Sequence, residues 1–195
     1  MPRLRNLSVL ALVLLAGLPG VSQAQQEQGG ADPMMVAMMA AMKTGEAHQA
    51  LMARAGAWTM TSSFWMDPSQ PPMVTTGTVT REPMLGGRVL VEKVKADMMG
   101  MPFEGYGMTG YDNVTGKYWT TWNDNMTTAL VSGTGSRQAD GKLVFDLTIN
   151  DPMTKETVKV RTVVIETAEA ETMEWFETRG GKEVKTMEIK YARAK

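Results

Sequence analysis

Hydrophobic and polar positions follow three regimes along this chain. A continuous apolar run, Leu7 to Leu18, comes first. Met34, Met35, Met38, Met39 and Met42 then recur at helical spacing, which puts them on one face. From Ala57 onward apolar and polar positions alternate with period two, interrupted at short intervals by Gly, Pro and Asx-containing turns. This pattern predicts strands over 57–66, 75–81, 88–94, 103–111, 117–124, 126–133, 142–149, 157–166, 172–178 and 184–191. About ten antiparallel strands with short loops occupy roughly 135 residues. An open sheet of that width rarely stays open. Closure removes the unpaired edges and encloses a cavity. The expected fold is all-β, an up-and-down antiparallel barrel preceded by one or two short helices, with a sandwich as the alternative.

The first regime reads as an export signal. Arg3 and Arg5 supply a positive start, Leu7–Leu18 the apolar stretch, and Ser22-Gln23-Ala24 small residues at the recognition positions. Cleavage is expected after Ala24. The apolar run is short for a membrane span, and no second long run follows. The mature protein is therefore expected in the periplasm or outside the cell, with no stable membrane span after cleavage. The expected division is a signal peptide over 1–24, a Met-rich linker and helix over 25–45, and the barrel over 46–195.

In the second regime, Asp32-Pro33 reads as an N-cap followed by proline in the first helical position. Gly45 breaks the pattern. Glu46 to Ala55 then predicts a second short helix with Ala47, Leu51, Met52 and Ala55 inward, ended by Gly56. Two readings compete for the methionines. One is adaptable packing, on the domain or on a partner. The other is thioether ligation of Cu(I), which requires several sulfurs to converge on one point. The single histidine, His48, reads as a hydrogen-bonded helix residue, or as a proton carrier or haem ligand; a multi-histidine metal site is impossible.

Composition and charge remove several function classes. Removing the leader takes Arg3 and Arg5 from 20 basic residues set against 21 acidic ones, so the net charge moves from −1 to −3. No basic stripe remains to attract nucleic acid. Cysteine is absent, which excludes disulfides, thiolate metal sites and a cysteine nucleophile. No serine has a GxSxG context, and Gly86-Gly87-Arg88-Val89 lacks the Lys-Ser/Thr of a phosphate loop. A carboxylate pair such as Glu92 with Glu104 or Asp124 could do acid–base work. No cofactor is implied, and the reading leans away from an enzyme.

Candidate binding residues come from the third and fifth strands and the strand between them. Arg88, Leu90, Glu92 and Val94 are expected on one strand face. Arg88 and Glu92 are then either a solvated outer pair or a pair inside the lumen, where unpaired charge is expensive. In the second case Arg88 would anchor an anion or carbonyl group and Glu92 would hold its fork. Phe103, Tyr106, Trp119 and Trp122 would form the apolar walls. Tyr118, Thr120, Trp122 and Asp124 face one way along the fifth strand, and Trp119, Thr121 and Asn123 the other. The expected ligand is one small apolar or amphipathic molecule; the alternatives are a structural or partner-binding role for the Met-rich face, a Cu(I)-binding protein, or an enzyme of unknown type.

Several short motifs recur in order. They are Gly56-Ala57-Trp58 preceded by His48 and Leu51, Leu85-Gly86-Gly87-Arg88, Gly100-Met101-Pro102-Phe103-Glu104-Gly105, Gly110-Tyr111-Asp112, Tyr118 with Trp122, and Gly181-Lys182-Glu183 leading to Tyr191. From about His48 to Arg193 the chain resembles the exported bacterial proteins of domain-of-unknown-function family 1579. The resemblance implies a lipocalin-like (calycin-type) barrel and no established reaction. It does not extend over the Met-rich helix.

Overall fold

The computed structural model describes residues 32–151 and 154–195. The expected signal peptide, its cleavage position and Pro152 of the Asp151-Pro152 turn lie outside the described residues. Two helices, α1 (Pro33–Met42) and α2 (Glu46–Met52), precede ten strands. The strands are β1 (Gly56–Phe64), β2 (Met73–Met84), β3 (Val89–Met98), β4 (Met101–Asp112), β5 (Lys117–Asp124), β6 (Val131–Arg137), β7 (Leu143–Asn150), β8 (Thr157–Glu166), β9 (Ala170–Arg179) and β10 (Lys182–Arg193). Each strand pairs antiparallel with its sequence neighbours, and β1 also pairs with β10, which closes the barrel. The expected up-and-down barrel of about ten strands is the fold.

Alternation determines which side chains enter the lumen. Strand register puts Trp58, Val79, Val94, Gly105 and Asp124 on one inner surface, and Tyr118, Gly135, Phe145 and Thr162 on another. Ten strands enclose more space than the eight that side chains just fill. Two apolar clusters fill the barrel interior. The first is a cluster of Leu51, Tyr118, Leu143, Phe145, Leu147, Val160 and Val164, and the second joins Trp58, Met60, Val79, Val94 and Tyr191. Leu51 is fully buried, so α2 plugs one end of the barrel. A seven-residue helix has little stability alone; burial of its apolar face holds it there.

Polar contacts fix the plug at both ends. His48 Nδ1 accepts a hydrogen bond from the Gly45 N–H at 3.2 Å, one half of a capping box. At the other end Arg193 donates to the Ala53 and Ala55 carbonyls at 2.6 and 3.0 Å. Its guanidinium also stacks on Trp58, whose Nε1 donates to the Arg54 carbonyl at 3.0 Å. A cation at a helix C-terminus satisfies the last carbonyls and the dipole together.

Two local expectations change. β3 begins at Val89, because Leu85, Gly86 and Gly87 turn the chain with positive φ and leave Arg88 in the turn. β6 begins at Val131 rather than at 126: Asp124 caps the preceding turn by accepting from the Met126 and Thr127 N–H groups, both at 3.0 Å. Apolar residues in that turn carry no mark of it in the hydrophobic pattern.

Helix α1 has the predicted cap, with Asp32 accepting from the Met34 N–H at 2.9 Å. It has no buried residue, and Met34, Met35, Met38, Met39 and Met42 are all more than half exposed. The methionines therefore do not pack on the barrel. The helix is tethered only at its C-terminus. Asn113 donates to the Ala40, Ala41 and Lys43 carbonyls, and Arg88 donates to the Met42 carbonyl at 2.6 Å. Arg88→Ala is thus expected to leave the unfolding midpoint nearly unchanged, within about 0.5 kcal/mol, and to accelerate protease cleavage between residues 33 and 45. Limited proteolysis followed by mass spectrometry checks both the site and the rate.

Candidate functional site

Beneath the α2 plug, six charged side chains alternate in sign across the barrel. Arg81 is the centre, with its side chain 1% exposed. Its Nε donates to Glu92 on the adjacent strand, and Nη1 and Nη2 donate to the two oxygens of Glu171, each at 3.0 Å. Glu171 also accepts from Arg54, which follows α2, at 2.8–2.9 Å. Arg54 Nε lies 3.2 Å from Glu166 Oε1 without an aligned hydrogen bond, since it points at Glu171. Glu166 Oε2 accepts from Arg137 at 2.8 Å. The Arg81 guanidinium lies between the rings of Trp58 and Tyr191, 4.9 and 4.7 Å from their centroids.

Electrostatics follow from this packing. Burial opposes the charge on Arg81, but Glu92 and then Glu171 outweigh it, so the guanidinium holds its proton more firmly than usual. Burial likewise opposes ionisation of Glu171, and Arg54 and Arg81 together hold it below the usual carboxylate range. Burial, reinforced by Glu92, pushes the Tyr191 phenol well above its ordinary value. Three arginines and three glutamates make the chain of charges neutral as a whole, which is the condition for burying it.

Away from the plug the inward side chains change character. Ser62, Phe64, Phe103, Trp122, Met173, Trp175, Met187 and Ile189 are only half buried although register turns them inward. A bulge between Lys185 and Met187 directs Thr186 inward as well, where its hydroxyl donates to the buried Glu177 at 3.0 Å. At that far rim Glu177 also accepts from Arg179, which donates in turn to Asp151 at 3.0 Å. Two hollows of about 520 and 620 Å³ lie along β6–β9, but they are lined mainly by outward positions such as Ser132, Asp146 and Lys159, or Arg161, Glu174 and Phe176. They are open surface hollows with no buried polar group, and the lumen is the better candidate.

The six residues singled out from sequence divide evenly. Glu92, Phe103 and Trp122 reach the lumen, where Phe103 and Trp122 stack with centroids 6.5 Å apart. Arg88 lies exposed in the turn at the barrel end and holds α1. Tyr106 is exposed on the outer wall. Trp119 also faces outward, its ring lying against Gly110. The arginine partner of Glu92 is therefore Arg81, which the reading of β3 alone missed. A signal was present: Arg81 follows Gly77 and Val79 at period two, on the apolar face of its own strand. Glu171 had the same relation to Met173 and Trp175, but its meeting with Arg81 spans 90 residues.

No curated protein matches the chain. A family model described as "Protein of unknown function (DUF1579)" matches residues 43–193, from just after α1 to the end of β10. The matched segment takes in both the α2 plug and every strand, so the chain belongs to the DUF1579 family.

Proposed function

We propose that this protein binds one small apolar or amphipathic molecule in the barrel lumen, as an exported carrier or sensor without chemistry of its own. One observation carries the reading. The inward side chains nearest α2 are fully buried, whereas Phe64, Phe103, Trp122, Trp175, Met187 and Ile189 farther along are only partly buried, and this apolar, aromatic lining suits a small apolar or amphipathic molecule. Each buried charge at its floor lies beside an opposite charge, which suits a structural base rather than a proton-transfer centre. Phe103, Trp122, Trp175 and Ile189 supply the walls, and Glu92 is the charge that reaches them from the floor.

Export is part of the same proposal and rests on the leader pattern. A second reading concerns α1. Five methionines and Val36 stay exposed on a helix that is apolar all round, and such a surface favours a contact with another molecule. Native mass spectrometry of the protein taken from the exported fraction of its own cells tests all three. The expected spectrum has a chain beginning at Gln25, with an added small-molecule mass that is lost on denaturation. A chain beginning at Met1 would refute export by cleavage. A bare chain mass in every preparation, with a protein complex that dissociates when residues 33–42 are deleted, would replace lumen binding by the α1 reading.

A further inference from the structure

The inner wall formed by β3, β4 and β5 has an unusual construction. Register aligns Glu92, Gly107 and Trp122 across three neighbouring strands, with Gly105 and Asp124 one step along. Strand spacing would place Trp122 about 10 Å from Glu92 if its ring stood upright. It does not stand upright. A Cβ added at Gly105 would lie 2.3 Å from Trp122 Cζ2, and one at Gly107 would lie 3.1 Å from Cε3. The two glycines thus let the indole lie flat on the β4 backbone, toward β3, where Val94 and Glu92 stand opposite them. One face of the ring is covered by β4, Phe103 stacks beside it, and the partly buried indole packs against the cluster of Trp58, Met60, Val79, Val94 and Tyr191.

Charge on this wall has one sign. The inward positions of β3, β4 and β5 include Glu92 and Asp124 and no basic residue. Asp124 accepts a hydrogen bond from Trp122 Nε1 at 3.0 Å, which pushes electron density into the indole and strengthens the pull of its face on a cation. Its other hydrogen bonds come from backbone N–H groups, so no side-chain cation neutralises it. Glu92 gives one oxygen to Arg81. Its Oε1 makes no hydrogen bond among the described residues, and the side chain is 20% exposed. Arg81 offers an incoming anion little, because Glu171 already grips it with two hydrogen bonds.

We propose that the lumen selects an organic cation, an ammonium group carried on an apolar body, with the ammonium between the Glu92 carboxylate and the partly buried ring of Trp122. The proposal rests on the reading of the lumen as a small-molecule site and names its ligand class. An aromatic face beside a carboxylate suits an ammonium because the quadrupole and the full charge attract the same partner, and partial desolvation strengthens both. The apolar body then lies against Phe103 and the half-buried side chains toward the open end. This reverses the polarity expected for an arginine-anchored anion.

Three probes of equal chain length separate charge from burial: decyltrimethylammonium, 1-decanol and decanoate, each below its micellar concentration, titrated calorimetrically into the mature full chain at low salt and neutral pH. The expected order is the ammonium first, the alcohol next and the carboxylate last, with about tenfold between first and last. Glu92→Gln is expected to weaken the ammonium roughly fivefold relative to the alcohol, and Trp122→Leu, which removes apolar wall for both probes, to weaken the ammonium roughly fivefold more than the alcohol. Circular dichroism identifies a variant that has not folded, and Trp122→Leu remains informative because it touches none of the Arg81 contacts. Equal or tighter binding of decanoate overturns the cation proposal while leaving lumen binding in place. So does an ammonium preference that survives in both variants. If none of the three probes binds, the lumen reading itself falls and the cation proposal with it.

Discussion

Arg81→Ala is expected to destabilise the barrel by about 3–5 kcal/mol, because it leaves carboxylates buried without their partner. Glu171 would keep only Arg54, and Glu92 would lose its hydrogen-bond donor. Trp58 and Tyr191 would lose the cation packed between them. Urea denaturation at neutral pH measures the loss. Replacing the group together, as Arg81→Met with Glu92→Gln and Glu171→Gln, is expected to cost much less than the single change, since a buried ion network is often no better than an apolar isostere. A triple variant as unstable as Arg81→Ala would show that the cost lies in lost packing.

The pH dependence has a definite sign. Glu171 is held below its ordinary value of 4.5 in the folded state. Its contribution is therefore present above that unfolded value and is lost as pH falls through the lowered folded one. Arg81→Ala removes one of the two cations that lower it. The stability curves of the parent and the variant are thus expected to converge on acidification, and denaturation repeated near pH 3 checks this. A gap that stays constant would mean that Glu171 does not carry the effect.

Leu51→Ala is the second large effect expected, about 2–5 kcal/mol. Leu51 is fully buried among Tyr118, Leu143 and Phe145, and it is the main apolar anchor of α2. Truncation leaves a cavity at the barrel floor and removes what holds a helix too short to persist alone. The same helix leads into Arg54, whose ion pair with Glu171 depends on the plug being seated. Leu51→Ala and Arg54→Ala are therefore expected to be less than additive, because either one unseats the other. Hydrogen exchange localised to residues 46–52 distinguishes undocking of the plug from a uniform loss of stability. Equal acceleration over β3 and β8 would refute a separate plug.

The site was legible in proportion to how local its parts are. Period-two alternation grouped Glu92 with Leu90 and Val94 on one face and Trp122 with Tyr118 on another, but left open which faces are inward, and the glycines of β4 leave room for a close approach. What approached was hidden. The sequence shows Gly105 and Gly107, but only the register of β4 with β5 brings the Trp122 ring over them. Arg88 misled because charge on an alternating run reads as part of the strand, whereas three consecutive positive-φ residues had already turned the chain.

Taken alone, the sequence determined the class and order of elements: a helical Met-rich segment, a short second helix, then ten antiparallel strands in a meander. Periodicity, turn residues and strand count are all local properties, and a meander pairs each strand with the next. Tertiary structure alone decided which charges meet. Arg81 and Glu92 meet across the β2–β3 hairpin, but Arg54, Arg81 and Glu171 come from distant parts of the chain and are joined only when β1 closes on β10 and α2 enters the end of the barrel. It also decided that the methionine face stays uncovered. Burial depends on what lies opposite in space, and no pattern within a helix can encode that.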